Sequence, residues 1–156
     1  MSNALPPIED LIAHRGNMLL LDRLVDADDE SCRAEYTPRA DAWYADASGN
    51  MPAWIGLELM AQTIAAYIGV HKQTTGQPPK QGVLLGTRSY KSEVPHHAAG
   101  TCLCMEARVS FRDESGLGAF ECRITRAGKQ EEVLATAMLK VYEPEDFDAF
   151  MKGKRP

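Results

Sequence analysis

Residues 51–62 read MPAWIGLELMAQ, a Met-Pro start leading into an almost wholly apolar stretch that carries one acid, Glu58. Continued to Lys72, the stretch sets Trp54, Ile55, Leu57, Leu59, Met60, Ile64, Ile68 and Val70 around nearly all sides of a helix. A helix apolar all round belongs in the middle of a fold. The spacing predicts a helix over 52–72 with Asn50 as its cap. In such surroundings an ionised carboxylate must pair, accept hydrogen bonds or hold its proton. Glu58 is therefore expected to be buried and is a candidate acid-base group, against the alternative of a structural acid paired with a buried Arg or turned to solvent. Gln62 stands one turn further on the same face, where its amide can orient the carboxylate, while Thr63 lies off that line. The amides near Ala53 and Trp54, at the helix start, present partial positive charge to an incoming oxygen.

The flanking sequence frames this helix. After Pro6 and Pro7 a short helix is expected over 8–14, ended by Gly16 and Asn17. The apolar run 18–25, the acidic turn DADDE and the segment 31–37 predict a hairpin. The connection 38–50 has no clear period and is longer than a plain turn. Segments 82–92, 101–113, 118–128 and 131–144 read as four successive strands, and the tail from Glu145 as a terminal helix. Strands before and after one long apolar helix predict a single α+β domain over 1–156, its antiparallel sheet wrapped around the helix.

Composition narrows the classes of function. A hydrophobic share of 44% and a charged share of 25% fit a globular chain. The net charge of -5 disfavours nucleic acid as a partner. Arg15, Arg23, Lys80, Arg88 and Lys91 are scattered candidates for a basic patch, although solvated surface charge is the commoner role of each. Cys32, Cys102, Cys104 and Cys122 fit reduced, buried thiols better than a zinc set. The N-terminal MSNALPPIED lacks a signal-peptide pattern, and no apolar window reaches the length of a membrane span. These features predict a cytoplasmic chain without membrane partners, metal or redox cofactor.

Met51-Pro52, Leu57-Glu58 and Met60-Ala61-Gln62, together with His14-Arg15, Leu19-Leu20-Leu21 and Asp22-Arg23 in that order, resemble the hotdog-fold 3-hydroxyacyl-acyl carrier protein dehydratases. Gly100 and Leu103 are weaker echoes. The likeness spans about residues 11 to 142 and includes the divergent dehydratases associated with aryl polyene synthesis. It implies a hotdog domain that dimerises with itself or with a related hotdog chain. It further implies water elimination from a 3-hydroxyacyl thioester of acyl carrier protein or coenzyme A, without a cofactor. The family's catalytic acid falls on Glu58. Its helix-start glycine, whose amide faces the thioester carbonyl, falls on Ala53.

One motif departs from the family. The histidine that removes the C2 proton there falls on Tyr44, and a phenol is a poor base at neutral pH. No histidine lies between His14 and His71. His14 is the remaining candidate nearby, although its counterpart in the family is not the catalytic one. Tyr44, Asp46 or a partner subunit are the alternatives. Trp43 and Trp54 are candidates for lining an acyl tunnel, aromatic core packing being as good a reading. His96 and His97 are expected in an exposed turn, and His71 at the helix end. Two rival readings share fold and ligand class, a non-catalytic subunit beside an active dehydratase and a thioesterase.

Overall fold

A computed structural model describes residues 5–76 and 82–153. The chain forms β1 (Arg23–Ala27), β2 (Ser31–Tyr36), the short β3 (Met51–Pro52) and the long helix α1 (Ile55–Thr74). It continues through β4 (Val83–Ser92), the short β5 (His96–His97), β6 (Leu103–Arg112), β7 (Leu117–Arg126), β8 (Lys129–Tyr142) and α2 (Phe147–Met151). Six strands pair antiparallel in the order β1-β2-β6-β7-β8-β4.

Alternation puts one face of this sheet against α1. Cys32, Ala34 and Tyr36 of β2 stand opposite Ala107, Met105 and Leu103 of β6, and all six are buried. Phe120 and Ile124 of β7 and Leu139 of β8 extend that face. Leu59, Met60 and Ile64 of α1 close on it, each contributing about 1.5–3 kcal/mol by leaving water. The expected α+β arrangement, an antiparallel sheet around one long helix, is what the chain adopts.

Local boundaries differ from the sequence reading in informative ways. The helix expected over 8–14 is one 3-10 turn, Ile8–Asp10. Leu11 and Ile12 turn inward to full burial, and Leu11 packs its backbone on α1 at Gly69, where an added Cβ would meet the Leu11 carbonyl oxygen at 2.0 Å. The apolar run 18–25 is a strand only from Arg23. Gly16–Met18 is a 3-10 turn, and Leu20 and Leu21 direct their amides to the Gln62 side chain instead of to a neighbouring strand. α1 begins at Ile55, three residues later than predicted from Pro52, because Met51 and Pro52 pair with His97 and His96. Asn50 is not its cap: its carbonyl accepts the Asp46 amide, and Trp54 occupies the cap position without a side-chain bond. The helix runs on past Lys72 to Thr74.

Candidate active site

Ala61 and Ala65 present short side chains on one flank of α1, and a cavity of about 130 Å³ lies there against Val83, Leu84 and Val141 of β4 and β8. Glu58 and Lys72 mark its limits along the helix, and His14 and Leu11 form part of its wall. The flank bearing Leu57, Glu58, Ala61, Ala65 and Ile68 is only partly covered, so α1 is not enclosed on all sides as its composition suggested. Glu58 is accordingly a cavity acid and not a buried one, its side chain 38% exposed.

Four contacts build the polar end of the cavity. His14 Nε2 stands 3.6 Å from Glu58 Oε2, farther than a hydrogen bond and within ion-pair distance when the imidazole is protonated. His14 Nδ1 is buried with no hydrogen-bond partner among the described residues, leaving Glu58 as the polar group the ring meets. The Gln62 amide donates to the same Glu58 oxygen at 2.9 Å and to the Met18 carbonyl at 2.6 Å. Its Oε1 accepts the Leu20 amide at 3.0 Å. Gln62 is wholly buried, so one side chain fixes both the carboxylate and the segment that follows His14. With its donors and acceptor engaged inside the chain, Gln62 holds the Glu58 carboxylate from one turn away.

The N-terminal segment reaches Glu58 because α1 has Gly69, whose missing side chain admits Leu11. Arg15 holds the same segment by donating to the Glu9, Ile12 and His14 carbonyls. Gly69 was legible as a residue unfavourable in a helix interior, a cue for close backbone approach that the sequence reading did not use.

At the start of α1 the Ala53 amide does not face the cavity as a free donor, contrary to expectation: it bonds the Pro95 carbonyl at 3.1 Å. Tyr90 of β4 donates to the Ala53 carbonyl. A Cβ on Gly56 would lie 2.7 Å from the Tyr90 hydroxyl, so Gly56 makes room for that bond. The next amides, Trp54 and Ile55, have no backbone acceptor among the described residues and are the helix-start donors that remain. The Trp54 side chain is 64% exposed and is not part of the cavity wall.

Other candidates are occupied elsewhere. Tyr44 is buried, its hydroxyl sharing a hydrogen bond with Tyr36 and accepting the Arg39 amide; it does not line the cavity. Asp46 accepts the Ser48 and Asn50 amides within its own loop. Trp43 is exposed and donates to the Asn17 carbonyl. His97 is buried in β5 opposite Met51, not in an exposed turn; burial first, then His96, pushes its imidazole below the usual range. His71 meets the Tyr67 carbonyl. Burial pushes the thiols of Cys32 and Cys122 up, Cys122 to about 12.

Among the described residues no cluster of three or more His, Cys, Asp or Glu side chains is placed to hold a metal ion. No helix there is long and apolar enough to cross a membrane. Of the basic candidates, Arg23 pairs with Glu35, Lys91 with Glu93, Arg88 is exposed on β4, and Lys80 lies outside the described residues.

An antiparallel sheet wrapped around one long helix is the hotdog arrangement, and comparisons agree. The chain superposes with a TM-score of 0.88 and 26% identity on a chain of the dehydratase heterocomplex ApeI:P from Xenorhabdus doucetiae, covering 97% of this chain and 100% of that one. The E. coli PaaI protein of the phenylacetic acid degradation operon matches at TM-score 0.58 and 14% identity, over 77% of this chain and 81% of that one. A hypothetical thioesterase protein with coenzyme A from Streptococcus pneumoniae matches at 0.57 and 11%, over 78% and 84%. The last two likenesses concern the fold alone. No curated protein sequence matches the chain. The family model for ApeP dehydratase matches residues 6–152, and the chain belongs to this ApeP-like dehydratase family.

Proposed function

We propose that this chain removes water from a 3-hydroxyacyl thioester, carried by acyl carrier protein or coenzyme A, to give a trans-2-enoyl thioester. The observation that carries the reading is the His14–Glu58 pair, 3.6 Å apart at one end of an apolar cavity. His14 takes the proton from C2 while the amides of Trp54 and Ile55 stabilise the negative charge that develops on the thioester oxygen. The electron pair left at C2 forms the double bond to C3, the C3–O bond breaks, and Glu58 delivers a proton to the departing hydroxyl. Gln62 holds Glu58 Oε2, leaving Oε1 outside these contacts for the substrate. The reaction belongs to fatty-acid or polyketide-type chain building, aryl polyene synthesis included.

The chain works beside a second hotdog subunit. Among the described residues β4 ends the sheet order with its second edge unpaired, and Leu84 and Leu85 on it are exposed at 38% and 49%, a surface that a strand from another chain can cover. The likeness to a heterocomplex supports a related chain there over an identical one. It equally supports a second reading, in which this subunit binds the acyl chain and its partner performs the chemistry.

Mass spectrometry of 3-hydroxyacyl carrier protein incubated with the purified chain, alone and with a hotdog partner, tests the reading. Loss of one water with the chain alone is expected. Water loss that requires the partner and survives Glu58→Gln supports the second reading, and release of free thiol without water loss indicates a thioesterase.

A further inference from the structure

We propose that the Lys72–Glu143 ion pair is the gate that limits acyl length, an inference that takes its ligand class from the dehydratase reading above. Lys72 Nζ lies 2.6 Å from Glu143 Oε1, with the two side chains only 12% and 16% exposed. Lys72 belongs to α1 and Glu143 directly follows β8, so the pair bridges helix and sheet. Both residues line the cavity that contains Glu58. Lys72 lies about 21 Å from Glu58 along the helix at ~1.5 Å per residue, and helical geometry tilts its Cα–Cβ bond toward the Glu58 end. Between them the wall is Ala61, Ala65, Ile68, Val83 and Val141, which suits an alkyl chain.

An alkyl chain that stops short of the bridge meets a largely apolar wall. A longer one must separate a pair of largely desolvated charges, or press methylenes against them with no compensating bond. The sheet-side post is fixed. The Glu143 amide donates to the Gly116 carbonyl at 3.0 Å, and a Cβ on Gly116 would lie 2.3 Å from the Glu143 carbonyl oxygen. The bridge therefore yields by losing the pair, not by sliding along β8.

The test gives the chain 3-hydroxyhexanoyl and 3-hydroxytetradecanoyl pantetheine thioesters, with turnover followed by mass spectrometry and binding by calorimetry. The double variant Lys72→Met/Glu143→Leu replaces the pair by apolar side chains of similar size, a change that folded proteins tolerate. It is expected to raise the long-to-short ratio of kcat/KM, and of affinity, by about tenfold or more. The reversed pair Lys72→Glu/Glu143→Lys rebuilds the bridge and is expected to keep the wild-type ratio. Equal ratios in wild type and the apolar double variant overturn the gate, as does a reversed pair that behaves like the apolar one. If no chain turns over either thioester but binding shows the shifted ratio, the gate stands and the dehydratase reading falls.

Discussion

His14 Nε2 lies 3.6 Å from Glu58 Oε2 within one chain, although a hairpin and a long connection separate the two in sequence. Both groups are needed if one accepts the C2 proton and the other protonates the leaving hydroxyl. Glu58→Gln and His14→Asn are each expected to lower kcat by about 10²–10⁴-fold. The double variant should be little worse than either single one, because residues acting as a unit are not additive. Single-turnover water loss followed by mass spectrometry reads all three.

Gln62 joins the acid to the segment that carries His14. Gln62→Leu leaves the Leu20 amide and the Met18 carbonyl without their partner and frees Glu58 to rotate. The variant is expected to lose about 1–3 kcal/mol of stability, as buried groups left unsatisfied do, and most of its activity at saturating substrate. Urea unfolding and kcat measured on the same preparation check the two effects.

Gly69 admits the Leu11 carbonyl to α1 at a distance no side chain permits. Gly69→Ala favours the isolated helix yet should destabilise the folded chain by about 1–3 kcal/mol through overpacking. It should also displace His14, so that turnover falls more than substrate affinity does. A melting curve beside kcat and KM makes the comparison, and a variant as active and stable as wild type would break the link between Gly69 and the site.

His97 supplies a pH dependence of stability. Burial holds its folded-state titration below the ordinary value of 6.5, so the unfolded chain binds this proton more readily. The stabilisation is present above about 6.5 and is lost as pH falls through the lower folded-state value. Replacing His97 by Leu removes this contribution. The Tm of wild type should therefore fall more steeply than that of His97→Leu between neutral pH and about pH 5; parallel curves would refute the assignment.

The sequence made the sheet and helix readable because alternation over β2, β6, β7 and β8 and the apolar run of α1 are strong local patterns. It also singled out Glu58 and Gln62, one turn apart on a single helix, where spacing alone decides proximity. What it missed depends on contacts between distant segments. Nothing local distinguishes the Ala53 amide, taken by Pro95, from those of Trp54 and Ile55 beside it. Likewise Tyr44, on which the resemblance places the family's base, is buried with Tyr36, which follows from the register of β2 and the course of the 38–50 connection. His14 was set back because its counterpart in the family is not the catalytic one, and the packing of Leu11 on Gly69 that accompanies its place beside Glu58 has no local signature.

If acid and base belong to one chain, mixing two inactive variants cannot restore activity. His14→Asn and Glu58→Gln chains are unfolded together, refolded as a mixture, and assayed for water loss from a 3-hydroxyacyl thioester. With both groups in one subunit, every chain in the mixture lacks one of them, and activity stays at the level of the separate variants. Recovery of a substantial fraction of wild-type activity would mean that the pair is completed across subunits, and would contradict the account.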